Sequence, residues 1–207
     1  MGPLAQLASL VAPPRCAACG AACQGSSSLC AECLAELAAA RRVIEAGPPG
    51  VDLAVAVGEF EGVARRIVHG LKYGRRLTLA RVASAAMLDA VPAGEWPEGV
   101  VPVPAGPWRW RWRGYDPAEE LAIAVSERSG VALRACLRRS GGRPQVGRRR
   151  SERLADPPRV WVAEPVPELA LLVDDVWTTG ATLSACARAL RQAGCCRVIA
   201  LTLARAV

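Results

Sequence analysis

The sequence predicts an α/β fold with a small metal-binding head at its N-terminus. Three observations carry that reading. Leu169 to Val173 is an unbroken apolar run, the pattern of a strand buried on both faces of a parallel sheet. Strand-like and helix-like periods alternate from Leu53 to Leu203. Ahead of them stand two CxxC pairs, Cys16 with Cys19 and Cys30 with Cys33, separated by ten residues.

The head comes first in the chain. Two CxxC pairs supply four thiolates, the donor set and number of a structural zinc. Glycine, alanine and serine fill the gap between them, too little to build a core, so the metal is expected to supply the folding energy. Reduced or redox-active dithiols are the alternative use of the same spacing. Cys23 is a spare thiol that fits the spacing less well. Leu34, Leu37 and Val43 read as a short helix leaving the second pair, and Gly47-Pro48-Pro49-Gly50 marks a boundary. Residues 1–46 therefore read as a zinc ribbon with its helix, and residues 47–207 as the main domain.

In the main domain, Leu53 to Phe60 reads as a strand, and Val63, Ile67 and Leu71 lie at helical spacing. That helix ends near His69, Lys72 and Tyr73. Lys72 is the sole lysine of a chain otherwise rich in arginine. It reads two ways: as a cation complementing the helix C-terminus, or as a compact ammonium placed for a phosphate. His69 reads as a packing residue or polar neighbour. Leu77 to Val91 is a second helix, and Gly99 to Pro104 a short buried strand ending in prolines. Trp108-Arg-Trp-Arg-Trp-Arg113 alternates strictly. If extended, it sets indoles on one side and guanidiniums on the other, so Arg109, Trp110, Arg111 and Arg113 could stack bases and neutralise phosphates of single-stranded DNA. It could equally be a packed hairpin whose arginines grip pyrophosphate. Asp116, Pro117 and Glu119 mark a helix start at N-cap, N1 and N3, and Gly130 its end. Val131 to Leu137 reads as a strand. Arg138 to Arg159 holds eight arginines, Arg148 and Arg149 among them, with no apolar period, and reads as a functional loop. Val160 to Val162 reads as a short strand, and Arg197 to Leu203 as the last one.

The chemistry concentrates in Leu171 to Leu183. Asp174 and Asp175 follow where the apolar run stops. Thr178, Thr179, Gly180, Ala181 and Thr182 form a turn of small and hydroxylated residues. Leu183, Ala187 and Leu190 then keep helical spacing up to Gly194. A glycine turn at a helix N-terminus presents amide N–H groups and a positive dipole end to a phosphate. Paired carboxylates beside it can accept hydrogen bonds from vicinal sugar hydroxyls. A phosphate and a diol held that far apart describe a ribose 5-phosphate. Trp177 is a bulky residue expected to reshape the mouth of the loop.

Composition sets outer limits. The chain has 207 residues, net charge +7 and 52% apolar residues, yet no apolar run of 18, so no membrane span is expected. No charged region precedes an apolar stretch at the start, so no signal peptide is read and a cytoplasmic protein is expected. There, nine cysteines point to metal rather than disulfides.

The stretch from Leu171 to Leu183 closely resembles the PRPP-binding fingerprint of type I phosphoribosyltransferases. That resemblance implies that Asp174 and Asp175 bind the ribose 2′ and 3′ hydroxyls, and that Thr178 to Thr182 wrap the 5-phosphate. A wider set occurs in order: the double-CxxC head, Leu71-Lys72-Tyr73, Val101-Pro102-Val103-Pro104, Arg113-Gly114-Tyr115, and Gln145 within the arginine-rich segment. Together they resemble the ComF family of competence-associated, phosphoribosyltransferase-like proteins with an N-terminal zinc ribbon. The resemblance implies a Rossmann-like type I phosphoribosyltransferase core with Asp174, Asp175 and Lys72 as catalytic candidates. It implies PRPP with Mg²⁺ as ligand, a pyrophosphate loop after Pro104, and a role in DNA uptake beside a competence helicase. Where the family has Arg-Gly-Phe-Asn, this chain has Tyr115 and Asp116, and an asparagine of the later loop is Asp156. Each amide-to-carboxylate change either repels an anionic substrate or only caps backbone. A non-catalytic reading keeps the same fold as a phosphate-binding scaffold that binds single-stranded DNA.

Overall fold

The computed structural model describes residues 14–23, 27–106, 113–140 and 159–206. Its centre is a mixed five-stranded sheet. In chain order the strands are β1 (Val43–Glu45), β2 (Leu53–Glu59), β3 (Gly99–Pro102), β6 (Leu169–Trp177) and β7 (Arg197–Arg205); β4 (Leu137–Arg139) and β5 (Val160–Val162) form a separate antiparallel pair. Across the large sheet the order is β1-β2-β7-β6-β3. The strands β2, β7, β6 and β3 run parallel, and β1 is added antiparallel at the edge beside β2.

Five α-helices occur among the described residues: α1 (Ala31–Ala38), α2 (Gly62–Tyr73), α3 (Thr78–Ala90), α4 (Pro117–Ser129) and α5 (Ala181–Gln192). The pleat sorts them into layers, because alternate strand residues face opposite sides. Val55, Val57, Leu171, Val173, Ile199 and Leu201 face α2, α3 and α4. Ala54, Ala170, Leu172, Val198 and Ala200 face α5 and the β4–β5 pair. With both faces covered, the inner strands read as continuous apolar runs in the sequence.

The cysteine segment is stitched into the first of these layers. Cys16, Leu29, Cys30, Cys33 and Leu37 are buried in one cluster with Ile67, Leu71 and Leu79. Arg76 donates to the Ala17 carbonyl, and the Val63 N–H donates to Glu36 at 2.7 Å. Apolar packing thus reinforces any contribution from a metal here.

Four local expectations are corrected. Val43 lies in β1, opposite Ala56, because the apolar pair Val43-Ile44 completes a sheet edge once α1 has ended. Val131 to Leu137 is not a continuous strand. Leu133 makes one isolated bridge to Val100, and pairing resumes at Leu137 to Arg139, so Arg138 and Arg139 belong to β4 rather than to a loop. The strand β6 continues through Asp174 and Asp175 to Trp177, since β7 still pairs with it there. Trp177 is buried, with the Arg205 guanidinium 4.1 Å from its ring centroid, so it anchors the strand end instead of shaping a loop mouth. Among the described residues, no helix is long and apolar enough to cross a membrane.

Candidate functional site

Parallel pairing brings the C-terminal ends of β2, β3, β6 and β7 to one edge. Open α/β sheets bind ligands at that edge, and here it holds a cleft of about 280 Å³. Phe60 lines it after β2, Val103 to Ala105 after β3, and Asp174, Asp175, Thr178, Thr179, Ala181 and Thr182 from β6 into α5. Lys72 from α2, Arg113 and Asp116 ahead of α4, and Arg139 from β4 complete the wall. Residues far apart in sequence therefore meet the Asp-Asp stretch in one place.

Lys72 lies in the last turn of α2, lines the cleft and pairs across to β6. Its Nζ lies 2.8 Å from Asp175 Oδ1, with the two side chains 22% and 9% exposed. The Asp175 N–H donates to Asp174 Oδ1 at 2.8 Å, which fixes the first carboxylate beside the second. Asp174 is pushed up to about 8, chiefly by its recess from water and then by the charge of Asp175.

The turn into α5 places Thr178, Thr179, Ala181 and Thr182 on the cleft, while the Ala181 N–H donates to Thr179 Oγ1 at 3.4 Å. The first amides of a helix have no intrahelical acceptor, so this end is suited to an anion. Gly180 also has a packing role. It has φ 76°, and a Cβ there would lie 2.7 Å from Pro48 Cβ and 3.2 Å from Trp177 Nε1. The missing side chain makes room for the Gly47–Gly50 segment and leaves the cleft wall to its neighbours.

Asp116 shows what the Asn-to-Asp departure does. Its Oδ1 accepts from the Ala118 N–H at 3.1 Å and caps α4, while Oδ2 accepts from the Ala105 N–H at 2.7 Å. Both partners need an acceptor, and an asparagine offers only one. Burial pushes Asp116 up to about 6, against the pull of those two N–H groups. Asp116→Asn should leave the Ala105 amide facing an NH₂ and destabilise the protein by about 1–3 kcal/mol, read from denaturant midpoints. An unchanged midpoint would show that the second bond carries no weight. Tyr115 is likewise explained, since its hydroxyl donates to the Leu71 carbonyl. Asp156 lies outside the described residues.

The two raised carboxyls give stability a sign. Both sit above the ordinary value of about 3.9, so the fold disfavours their charged forms. Their contribution is whole below about pH 4. It is lost as pH rises through about 6 for Asp116 and about 8 for Asp174. Asp174→Asn, which cannot ionise, should therefore melt progressively higher than the parent protein as pH rises from about 6 to 9. Parallel melting curves across that range would contradict the assignment.

A larger cavity of about 470 Å³ adjoins the cleft and shares Pro104, Ala105, Asp116 and Arg139 with it. Leu137, Arg138 and Trp161 of the β4–β5 pair form its outer wall. Sequence reasoning missed it, because no single stretch carries its signal; the wall exists only once β4 and β5 pair across the intervening segment. Arg109, Trp110, Arg111, Arg148 and Arg149 lie outside the described residues.

The cysteine centre is separate. The Sγ atoms of Cys16, Cys19, Cys30 and Cys33 all lie within 4.8 Å of one another, and Cys19 and Cys30 Sγ are 3.7 Å apart. Tetrahedral zinc with Zn–S bonds near 2.3 Å sets its sulfurs ~3.8 Å apart, so the four could hold such a metal. Cys23 is buried nearby but is not one of the four. Arg66 reaches Cys33 Sγ at 3.9 Å while paired with Glu36, a cation suited to an electron-rich thiolate cluster.

No family model matches the chain. It is 28% identical to Competence protein F of Haemophilus influenzae, with 93% of this chain and 85% of that protein covered. It is 32% identical to Competence protein ComFC of Streptococcus pneumoniae, with 51% of this chain and 47% of that protein covered.

Proposed function

The chain belongs to the ComF family of competence proteins, and from that premise we propose that it binds ribose 5-phosphates, PRPP above all, and acts in natural competence and DNA uptake. One observation carries the binding reading. The fixed Asp174–Asp175–Lys72 group and the Thr178 to Thr182 turn share one small cleft at the C-terminal edge of a parallel sheet. In this reading the carboxylates take the ribose diol, the turn takes the 5-phosphate, and the fold is a type I phosphoribosyltransferase core. Lys72, Arg113 and Arg139 offer positive charge to the pyrophosphate. Asp174 and Asp175 are hard oxygen donors that suit magnesium arriving with the pyrophosphate, whose charge the ion neutralises when bound.

The reaction class such a site supports is phosphoribosyl transfer. The C1–O bond to pyrophosphate breaks, a nitrogen nucleophile forms a bond to C1, and positioning with charge neutralisation does the work. The adjoining cavity is where that nucleophile would lie. A competence helicase is the partner this reading assigns to the protein, and zinc is the metal it assigns to the four cysteines.

Calorimetric titration with PRPP and Mg²⁺, run beside ribose 5-phosphate and pyrophosphate, tests the proposal. Saturable binding of both sugar phosphates is expected. Binding of pyrophosphate without ribose 5-phosphate would remove the diol-and-cradle assignment.

A further inference from the structure

The helix α2 is gripped at both ends by the cysteine head, and its last turn carries Lys72 into the cleft. At its start, Glu61 stands at the N-cap but makes no side-chain cap. The acceptor comes from α1 instead: Glu36 Oε1 accepts the Val63 N–H at 2.7 Å. Gly62, at φ 48°, has no Cβ to block that carboxylate. Glu36 is also paired with Arg66, and Arg66 in turn reaches Cys33 Sγ at 3.9 Å. Just past the other end, Arg75 takes φ 48°, a left-handed conformation rare for a side chain of its size. The chain doubles back there. The Arg76 N–H donates to the Gly70 carbonyl at 3.2 Å, and the Arg76 guanidinium donates to the Ala17 carbonyl. Ala17 lies inside the first CxxC knuckle, between Cys16 and Cys19. Strained backbone of this kind persists only where its surroundings over-determine it, and the Arg76 contact is one such restraint.

We propose that Arg76 and Glu36 are positioning residues: through them the cysteine head clamps α2 along its axis and fixes where Lys72 stands against Asp175. Asp175 needs no such help, because the register of β6 against β7 holds it. Lys72 has a flexible four-carbon stem, so its ammonium stands only as firmly as the helix end beneath it. From the α4 side, the Tyr115 hydroxyl donates to the Leu71 carbonyl. From the opposite side the grip is the head's own. A slip of about 1 Å along the axis, less than one residue's rise, would stretch the 2.8 Å ion pair. The knuckle that presents the Ala17 carbonyl is also the one that the proposed zinc would hold. The consequence for PRPP rests on the ribose 5-phosphate reading of the cleft, whereas the clamp itself does not.

Lys72 is the sole lysine, so acylation by an amine-selective ester, located by peptide mass spectrometry, reads its placement directly in the full chain. Arg76→Ala should speed acylation of Lys72 by about three- to tenfold and weaken PRPP binding by a similar factor, the range for one lost hydrogen bond from a charged group. Arg76→Lys keeps a donor for the Ala17 carbonyl and should return PRPP affinity toward the parent. Glu36→Ala should act in the same direction but less, from the far end of the helix. Zinc content and melting temperature establish that the head is in place in each variant. A residue that merely stabilised the head would lower the melting temperature and leave Lys72 of the folded protein as protected as before. Unchanged Lys72 acylation in a folded, zinc-loaded Arg76→Ala would overturn the clamp, whatever PRPP does. Were Arg76→Ala to lose its zinc, Glu36→Ala decides the same question from the opposite end. Faster acylation in the variant, with no PRPP binding in the parent, would sink the cleft reading alone.

Discussion

Cys30→Ser should strip the protein of zinc and collapse the segment around residues 14–40. Structural zinc in isolated fingers is worth about 10–16 kcal/mol of apparent binding energy, all of it folding energy. Here the loss would spread further, because Cys16, Leu29, Cys30, Cys33 and Leu37 share a core cluster with α2 and α3. With zinc as the proposed metal, removing a ligand would unseat not only the metal but the apolar cover over Ile67, Leu71 and Leu79. Elemental analysis of the purified parent should give stoichiometric zinc, and Cys30→Ser should give almost none, with a lower melting temperature. Cys23→Ala should keep its zinc, since Cys23 stands outside the close set of four. Zinc lost on Cys23→Ala but retained on Cys30→Ser would overturn the ligand assignment.

Asp175→Ala should weaken PRPP binding by ~30-fold or more, on the scale of truncating one partner of a buried charge pair. The variant removes the proposed diol acceptor and also frees Lys72 from its 2.8 Å partner, so that the ammonium loses its fixed position at the cleft. Lys72→Ala should weaken binding as well, and the double variant should lose less than the sum, because the two residues act as one unit. Calorimetry gives the affinities, and melting curves establish that each variant is folded. A folded Asp175→Ala that binds PRPP within about threefold of the parent would place the ligand elsewhere. Gly180→Val is a poor substitute test. Its Cβ would meet Pro48 and Trp177, so lost binding would report a shifted segment rather than a filled cradle.

Much was legible from order along the chain. The strand through Leu171 to Val173, the helix beginning after Gly180, the cap at Asp116 and the Gly130 stop all follow from local rules: apolar period, capping chemistry and left-handed glycine. The four cysteines were legible for the same reason, because CxxC spacing sets two thiolates on one knuckle without help from the rest of the fold. Where pairing partners decided, local pattern failed. Val43 is equally apolar in a helix or an edge strand, and only β2 beside it selects the strand. Asp174 and Asp175 look like a tip because carboxylates usually end a buried run, yet β7 extends the pairing past them to Trp177.

The sequence by itself determined which residues could do chemistry: two adjacent carboxylates, a small hydroxylated turn before a helix, a single lysine and four metal-suited thiols. Only the tertiary structure decided which of them act on one another. The Lys72–Asp175 pair, the two-sided use of Asp116 and the stacking of Arg113 on Tyr73 of α2 each join segments distant in the chain. Such contacts leave no mark in any one stretch. Parallel strands must be joined by long crossovers, so the groups that meet at their C-terminal edge are necessarily distant in sequence.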